Sequence, residues 1–384
     1  MPEKKKQHFI PKFYLRLFAN SDKKFTIFNV QENKIVNNVF CDSQCQKDYF
    51  YGSDCVWEDK LAKMEATWSS TFKKVISKSP LSSKDIANIK EFALYQRFRT
   101  CGESNHVNRT REEMTIQMGK NIYAHEGYYF GESAEKACKT IAKNNELPPA
   151  DSLNYAEICL SCIEDLSVLI IEYSTQTNLI SSDVPVVFIN PFHIHTIGLS
   201  CIGLIMLFPI SPKQLIVIYD SKAYPRFNNQ TYITLNNETE VKKLNVLQLV
   251  SADKILFSSD ANLFSVFTNE DYLCRSKNRD NNVVSIYGSQ EKQLVTTTPR
   301  KTILHHTFSF GKLISDFSSI PFTCREAVPR QLEEGWEQKL ETKIELFPDL
   351  INLEGGNKIG LTKKQLKRGC EKMLNLAKRY YWRK

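Results

Sequence analysis

An α+β fold is what this chain predicts, because helical periodicity dominates its first half and β-branched apolar runs dominate its second, without regular alternation of the two. Between residues 57 and 166, apolar side chains recur at three- and four-residue spacing. Between residues 166 and 257, short runs such as Leu166 to Tyr173 and Gln214 to Tyr219 are rich in Val, Ile and aromatic residues and are bounded by Pro, Gly, Ser or Asn. At 384 residues the chain exceeds what one hydrophobic core ordinarily serves, so one large domain with an appendage, or two domains, is expected.

Taken in order, Lys24 to Val30 and Lys34 to Phe40 alternate like two strands around Gln31-Glu32-Asn33, a hairpin pattern. Cys41 to Asp54 is irregular and aromatic, with Tyr49-Phe50-Tyr51-Gly52 as a turn. Trp57 to Ile76 has helical spacing through Leu61, Met64, Trp68, Phe72 and Val75. Leu81 to Phe98 is the clearest helix: Ser82 or Ser83 can cap it, and Asp85 sits near its positive end. Further helices are expected over Arg109 to Tyr123, Ser133 to Asn144 and Asp151 to Leu166. Strands follow at Leu166 to Tyr173, Val184 to Ile189, Gly203 to Phe208, Gln214 to Tyr219 and Thr231 to Leu235; Glu238 to Ser251 is a helix leading to Lys254-Ile255-Leu256-Phe257. The expected architecture is an N-terminal hairpin and helical layer packed on a mainly antiparallel central sheet, with a basic helical C-terminal extension. In domains, this means an α+β body over residues 1–277, a linker or mobile loop over 278–300, and an extension over 301–384.

Hydrophobic residues make up 42% of the chain and charged residues 24%, as in ordinary soluble domains. Apolar stretches such as Ile202 to Pro209 are too short to span a bilayer. The N-terminal segment is polar and lacks the apolar core of a signal peptide, so a cytoplasmic location is expected. Eleven cysteines without that signal read as reduced thiols. Cys41, Cys45 and Cys55, and the Cys159–Cys162 pair, lack the doubled short spacing of a four-ligand zinc site, so buried thiols are the better reading. The net charge of +8 is concentrated at the end of the chain. Residues 358–384 carry ten Lys or Arg against Glu371 alone, a net of +9, which leaves −1 for residues 1–357. Thr362 to Tyr381 reads as an amphipathic helix with an apolar stripe of Leu366, Cys370, Met373 and Leu374. Its cations, among them Lys363, Lys364, Lys367, Arg368, Lys378 and Arg379, lie beside Tyr380, Tyr381 and Trp382, a combination suited to nucleic-acid backbone and base contacts. A docked helix with a solvated basic face is the equal alternative.

The strongest local signal is Gln7-His8 before Phe9-Ile10-Pro11 and the aromatic Phe13-Tyr14-Leu15. A glutamine amide both donates and accepts, and an imidazole changes charge near neutral pH. The segment resembles the opening of the DUF4238 family, a prokaryotic domain of unknown function. The likeness continues in order: Tyr49-Phe50-Tyr51-Gly52, then Glu65 on a helix after Trp57-Glu58, then Gln96-Arg97-Phe98-Arg99-Thr100. Ser182-Asp183-Val184-Pro185-Val186 and Phe208-Pro209-Ile210-Ser211-Pro212 complete it, so that the match runs from about residue 7 to 260. Cys101 stands where members often carry proline, and Ile210 where they carry leucine. The resemblance implies that Gln7, His8, Glu65, Gln96, Arg99 and Asp183 recur, and the kind of family suggests a setting in prokaryotic defence.

Read chemically, these six residues form an acid-base, phosphate-binding and carboxylate set. Asp183 can ligate a divalent metal or orient the imidazole. Two functions stay open: a nuclease-like effector that hydrolyses phosphodiesters, and a non-catalytic sensor of nucleotide or phosphate ligands. Beside both stands a purely bracing role, with Arg99 pairing Glu65 or Asp183. Two other patterns carry less. Arg99 and His106 have the spacing of a helical RNase motif, but Gly102, Ser104 and Asn105 disfavour one continuous helix between them. His193 and His195 alternate after a proline, and His305-His306 diverge on a strand. Substrate, metal requirement and oligomeric state are not written in these residues.

Overall fold

The structure is a computed structural model that describes residues 5–190, 199, 201, 203–227, 229–268, 282–289, 292–299 and 308. The N-terminal segment forms β1 (Lys6–His8) and a short helix α1 (Lys12–Arg16). The expected hairpin follows as β2 (Lys24–Asn29) and β3 (Lys34–Phe40), and then β4 (Gln46–Asp48) returns to pair antiparallel with β1. Neither three-residue strand has enough period-2 pattern to announce itself in the sequence; each exists because the other supplies its ladder.

The helical layer is α2 (Val56–Ile76), α3 (Ser83–Phe98), α4 (Cys101–His125), α5 (Glu132–Asn144) and α6 (Pro149–Cys159). Ser82 caps α3: its hydroxyl accepts from the Asp85 N–H, and the Asp85 carboxylate accepts from the Ser82 N–H, a reciprocal capping box. Helix α4 begins earlier than its periodicity indicated. Gly102, Ser104 and Asn105 lie inside its first turns, and the break from α3 falls at Arg99–Thr100, where the Thr100 hydroxyl accepts from the Glu103 N–H. Cys101, Gly102 and Ser104 are buried there, so tertiary packing overrides the poor helix propensity of the segment. Arg99 consequently caps the end of α3, whereas His106 lies within α4.

The central sheet combines β5 (Ser167–Tyr173), β7 (Val187–Ile189), β8 (Ile205–Pro209), β9 (Gln214–Tyr219) and β10 (Tyr232–Leu235) in the order β10-β5-β9-β8-β7. Only the β10–β5 pairing within it is parallel. Strand alternation divides its side chains between two cores. Val168, Ile170, Met206, Phe208, Ile216 and Ile218 face the aromatic cluster of Tyr14, Trp68, Phe72 and Phe92. Leu169, Ile171, Leu207, Leu215 and Val217 face Val241, Leu244 and Leu247 of helix α7 (Glu238–Ser251). Being covered on both faces explains why these strands read as continuous apolar runs.

The N-terminal hairpin does not merely pack on this sheet. It belongs to a second, four-stranded sheet of order β3-β2-β11-β6, in which β11 (Ile255–Ser258) pairs with both β2 and the two-residue β6 (Ser181–Ser182). Phe25 and Phe257 stack across that pairing with ring centroids 5.1 Å apart. Within 278–300, read from sequence as linker or loop, the backbone of β12 (Asn282–Ser289) and β13 (Lys292–Pro299) pairs as an antiparallel hairpin. The basic helix expected at 362–381, with Lys363, Lys364, Lys367, Arg368, Lys378 and Arg379, lies outside the described residues, as do His193, His195, His305 and His306.

Candidate functional site

Five of the six singled-out residues converge where β1, the turn after β4, α2 and the C-terminus of α3 meet. Gln7 is fully buried, and its amide grips the aromatic turn from both sides: Oε1 accepts from the Tyr51 N–H at 2.6 Å and Nε2 donates to the Gly52 carbonyl at 2.9 Å. The turn needs this hold because Gly52 has a φ of +115°, a conformation that favours glycine. Gln96, also fully buried, donates Nε2 to the Phe9 carbonyl at 3.0 Å, while its Oε1 is buried without a hydrogen-bond partner among the described residues.

Arg99 is the hub. Only 1% exposed, it donates Nη1 to Glu65 Oε1 at 2.8 Å, Nη2 to the His8 carbonyl at 2.6 Å, and Nε to the Tyr51 hydroxyl at 3.1 Å. Burial opposes its charge, but the Tyr51 and Glu65 groups around it more than offset that, and its pKa is raised. The fork geometry of a guanidinium is what lets one side chain bind a carboxylate, a carbonyl and a phenol together. Tyr51 was legible only as part of a turn. Its hydroxyl, buried with a raised pKa, also lies 3.3 Å from the carbonyls of His8 and Arg99.

His8 is 8% exposed, and its Nε2 lies 2.9 Å from the Asp42 carbonyl oxygen. A carbonyl only accepts, so Nε2 carries the hydrogen, and in the neutral ring Nδ1 carries the lone pair. Burial depresses the imidazole pKa first of all; the Asp42 hydrogen bond and Glu65 act upward, Lys12 and Arg99 downward. Glu65 keeps a quarter of its side chain exposed. Among the described residues, His8 Nδ1 and the second Glu65 carboxylate oxygen have no hydrogen-bond partner.

Asp183 has different work. Its carboxylate accepts from the backbone N–H groups of Asp253, Lys254 and Ile255 at 2.8, 2.8 and 3.2 Å, pinning the entry to β11. The neighbouring Ser182 hydroxyl donates to Gln248 of α7 at 2.8 Å. Gln7, Gln96, Arg99 and Asp183 therefore direct much of their polar capacity at backbone groups. The set divides into a frame, made of those four with Tyr51, and a pair with hydrogen-bonding capacity left over, the buried His8 and the quarter-exposed Glu65.

No group of three or more His, Cys, Asp or Glu side chains among the described residues is arranged to hold a metal ion. No two of the described cysteines are joined in a disulfide, and burial pushes the thiols of Cys41 and Cys101 up to about 11. They are protonated at neutral pH and are poor nucleophiles there. No helix among the described residues is long and apolar enough to cross a membrane.

A family model described as "Protein of unknown function (DUF4238)" matches residues 6–262. No curated protein and no solved structure matches the chain.

Proposed function

The chain belongs to the DUF4238 family, and from that premise we propose that it acts on nucleic acid as a nuclease-like effector, with phosphodiester chemistry carried by His8 and Glu65. The observation behind this reading is that Arg99 binds both the His8 carbonyl and the Glu65 carboxylate, while His8 Nδ1 and one Glu65 oxygen are left without a partner among the described residues. Phosphodiester cleavage needs a base for the attacking hydroxyl or water and an acid for the leaving oxygen. With its pKa lowered by burial, His8 is neutral at pH 7 and has the base form at Nδ1. Glu65 can order the nucleophile or balance the imidazolium that forms, and the imidazolium then returns its proton to the leaving oxygen, directly or through water.

Arg99 is not the phosphate ligand in this scheme, because its donors are committed inside the protein; it orients the pair. Attraction for the polyanion falls to exposed Lys12, which lies near enough to His8 to lower its pKa, and to the ten cations of residues 358–384. A divalent metal ion, which the sequence left open, is a variable of the assay. Non-catalytic sensing of a phosphate or nucleotide ligand is the second reading, favoured by how many of the recurring polar groups hold backbone.

Incubating the purified full chain with labelled RNA and DNA, with and without divalent metal, separates the two. We expect cleavage that is lost in His8→Gln and reduced in Glu65→Gln while the folded spectrum persists. Binding without cleavage in the unmodified chain would leave the sensing reading in its place.

A further inference from the structure

We propose that Arg16 and Asp42 are positioning residues that fix His8 in its Nε2–H tautomer and aim Nδ1 at the reacting group. The inference rests on the reading of His8 as the acid-base group and names what holds that group in place.

Three short segments meet at His8. It ends β1, Arg16 ends α1, and Asp42 lies in the single turn of 3-10 helix over Cys41–Ser43 that follows β3. The imidazole binds the main-chain carbonyl of Asp42 at 2.9 Å. The side chain of the same residue is clamped by Arg16, whose Nε donates to Oδ1 at 2.9 Å and whose Nη2 donates to Oδ2. Protonated Cys41 also donates its thiol to Oδ1 at 3.3 Å. The forked pairing fixes the carboxylate, and through it the plane of the peptide that receives the imidazole N–H. A one-turn segment without this clamp can rotate its carbonyl, and the ring then loses the partner that selects its tautomer. This is the orienting logic of a carboxylate behind a catalytic histidine, with a backbone carbonyl in direct contact and an ion pair behind it. The charged or titratable groups that act on the ring are Lys12, Glu65 and Arg99 in addition to Asp42.

The ion pair is half exposed, with side chains 44% and 34% accessible, so it contributes little to global stability. Substitutions there should shift Tm by no more than about 4 °C. That separates positioning from folding.

The test is the tautomer itself, read by long-range ¹H–¹⁵N correlation on the full chain with ¹⁵N-labelled histidine. His8→Gln identifies the resonance. Unmodified protein should give the single Nε2–H pattern at neutral pH. Arg16→Gln and Asp42→Asn should each convert it to an averaged mixture of both tautomers. The double charge swap, Arg16→Asp with Asp42→Arg, should restore the single pattern, and Arg16→Lys serves as the milder probe if a single variant folds poorly. On a cleavable substrate, the single variants should lose about 10- to 100-fold in kcat, with KM little changed. An Nδ1–H pattern in the unmodified protein, or an unaltered His8 pattern in the single variants, overturns the proposal. The spectrum requires no substrate, so absence of cleavage would count against the nuclease reading alone.

Discussion

Arg99 is among the largest fully buried side chains described, and its charge is tolerated because each of the three guanidinium nitrogens meets an acceptor. Replacing it with methionine removes three hydrogen bonds and leaves the partly buried Glu65 carboxylate without its counter-ion. The expected cost is about 3–5 kcal/mol, read as a fall in urea midpoint with unchanged m-value. Glu65→Ala should also destabilise, though less, since part of that carboxylate is open to water. His8 adds a pH dependence whose sign follows from its lowered pKa. The unfolded chain binds the proton more readily than the native state, so the contribution of His8 is complete above an unfolded pKa of about 6.5 and is lost as pH falls through the lower folded value. His8→Gln should flatten the decline in stability just below pH 6.5, as chemical denaturation at stepped pH would record. An equally steep decline in the variant would mean that other groups set that limb.

At the scale of elements, the N-terminus of α3 and the entry to β11 each depend on one aspartate. Asp85 closes the capping box and receives Lys74 Nζ at 2.9 and 3.0 Å, and these Ser82 and Lys74 bonds hold its carboxyl far below the usual range. Its stabilisation is present above the unfolded pKa of about 3.9 and disappears as pH falls below it. Ser82→Ala should cost about 1 kcal/mol. Asp183 is costlier to remove, because three backbone N–H groups at 253–255 converge on it. Asp183→Ala should lose about 2–3 kcal/mol and speed amide exchange at 253–255 before exchange rises in α3. Uniform acceleration across both regions would show that the turn is not a separable unit.

For the whole molecule, the charge distribution sets the partner test. A net of +9 over residues 358–384 against −1 for the rest should make polyanion binding fall steeply with salt through counterion release. Deleting 358–384 should weaken binding to RNA and DNA alike and flatten the slope of log affinity against log salt. Undiminished binding after the deletion would locate the contact surface within residues 1–357, beside Lys12 and His8. The family match ends at residue 262, well before the deleted segment, so the truncated body should keep its Tm.

Much of this architecture was legible without coordinates. Helical spacing places α2 and α3 closely, and apolar β-branched runs bounded by turn residues place β5 and β9, because long elements that bury their side chains repeat the same constraint many times. The α+β class follows from their order, and the ordered motifs that resemble the DUF4238 family singled out Gln7, His8, Glu65, Gln96 and Arg99. Their division of labour was not legible. That Gln7 and Gln96 hold backbone, that Asp183 pins a turn next to β11, and that Tyr51, Arg16 and Asp42 belong with His8 are decided by contacts across large sequence separations. The same holds for β1 with β4, and for the N-terminal hairpin joined to β11. Local propensity is a property of neighbours along the chain, whereas hydrogen-bond partners are selected by which buried donors and acceptors the closed fold leaves facing each other.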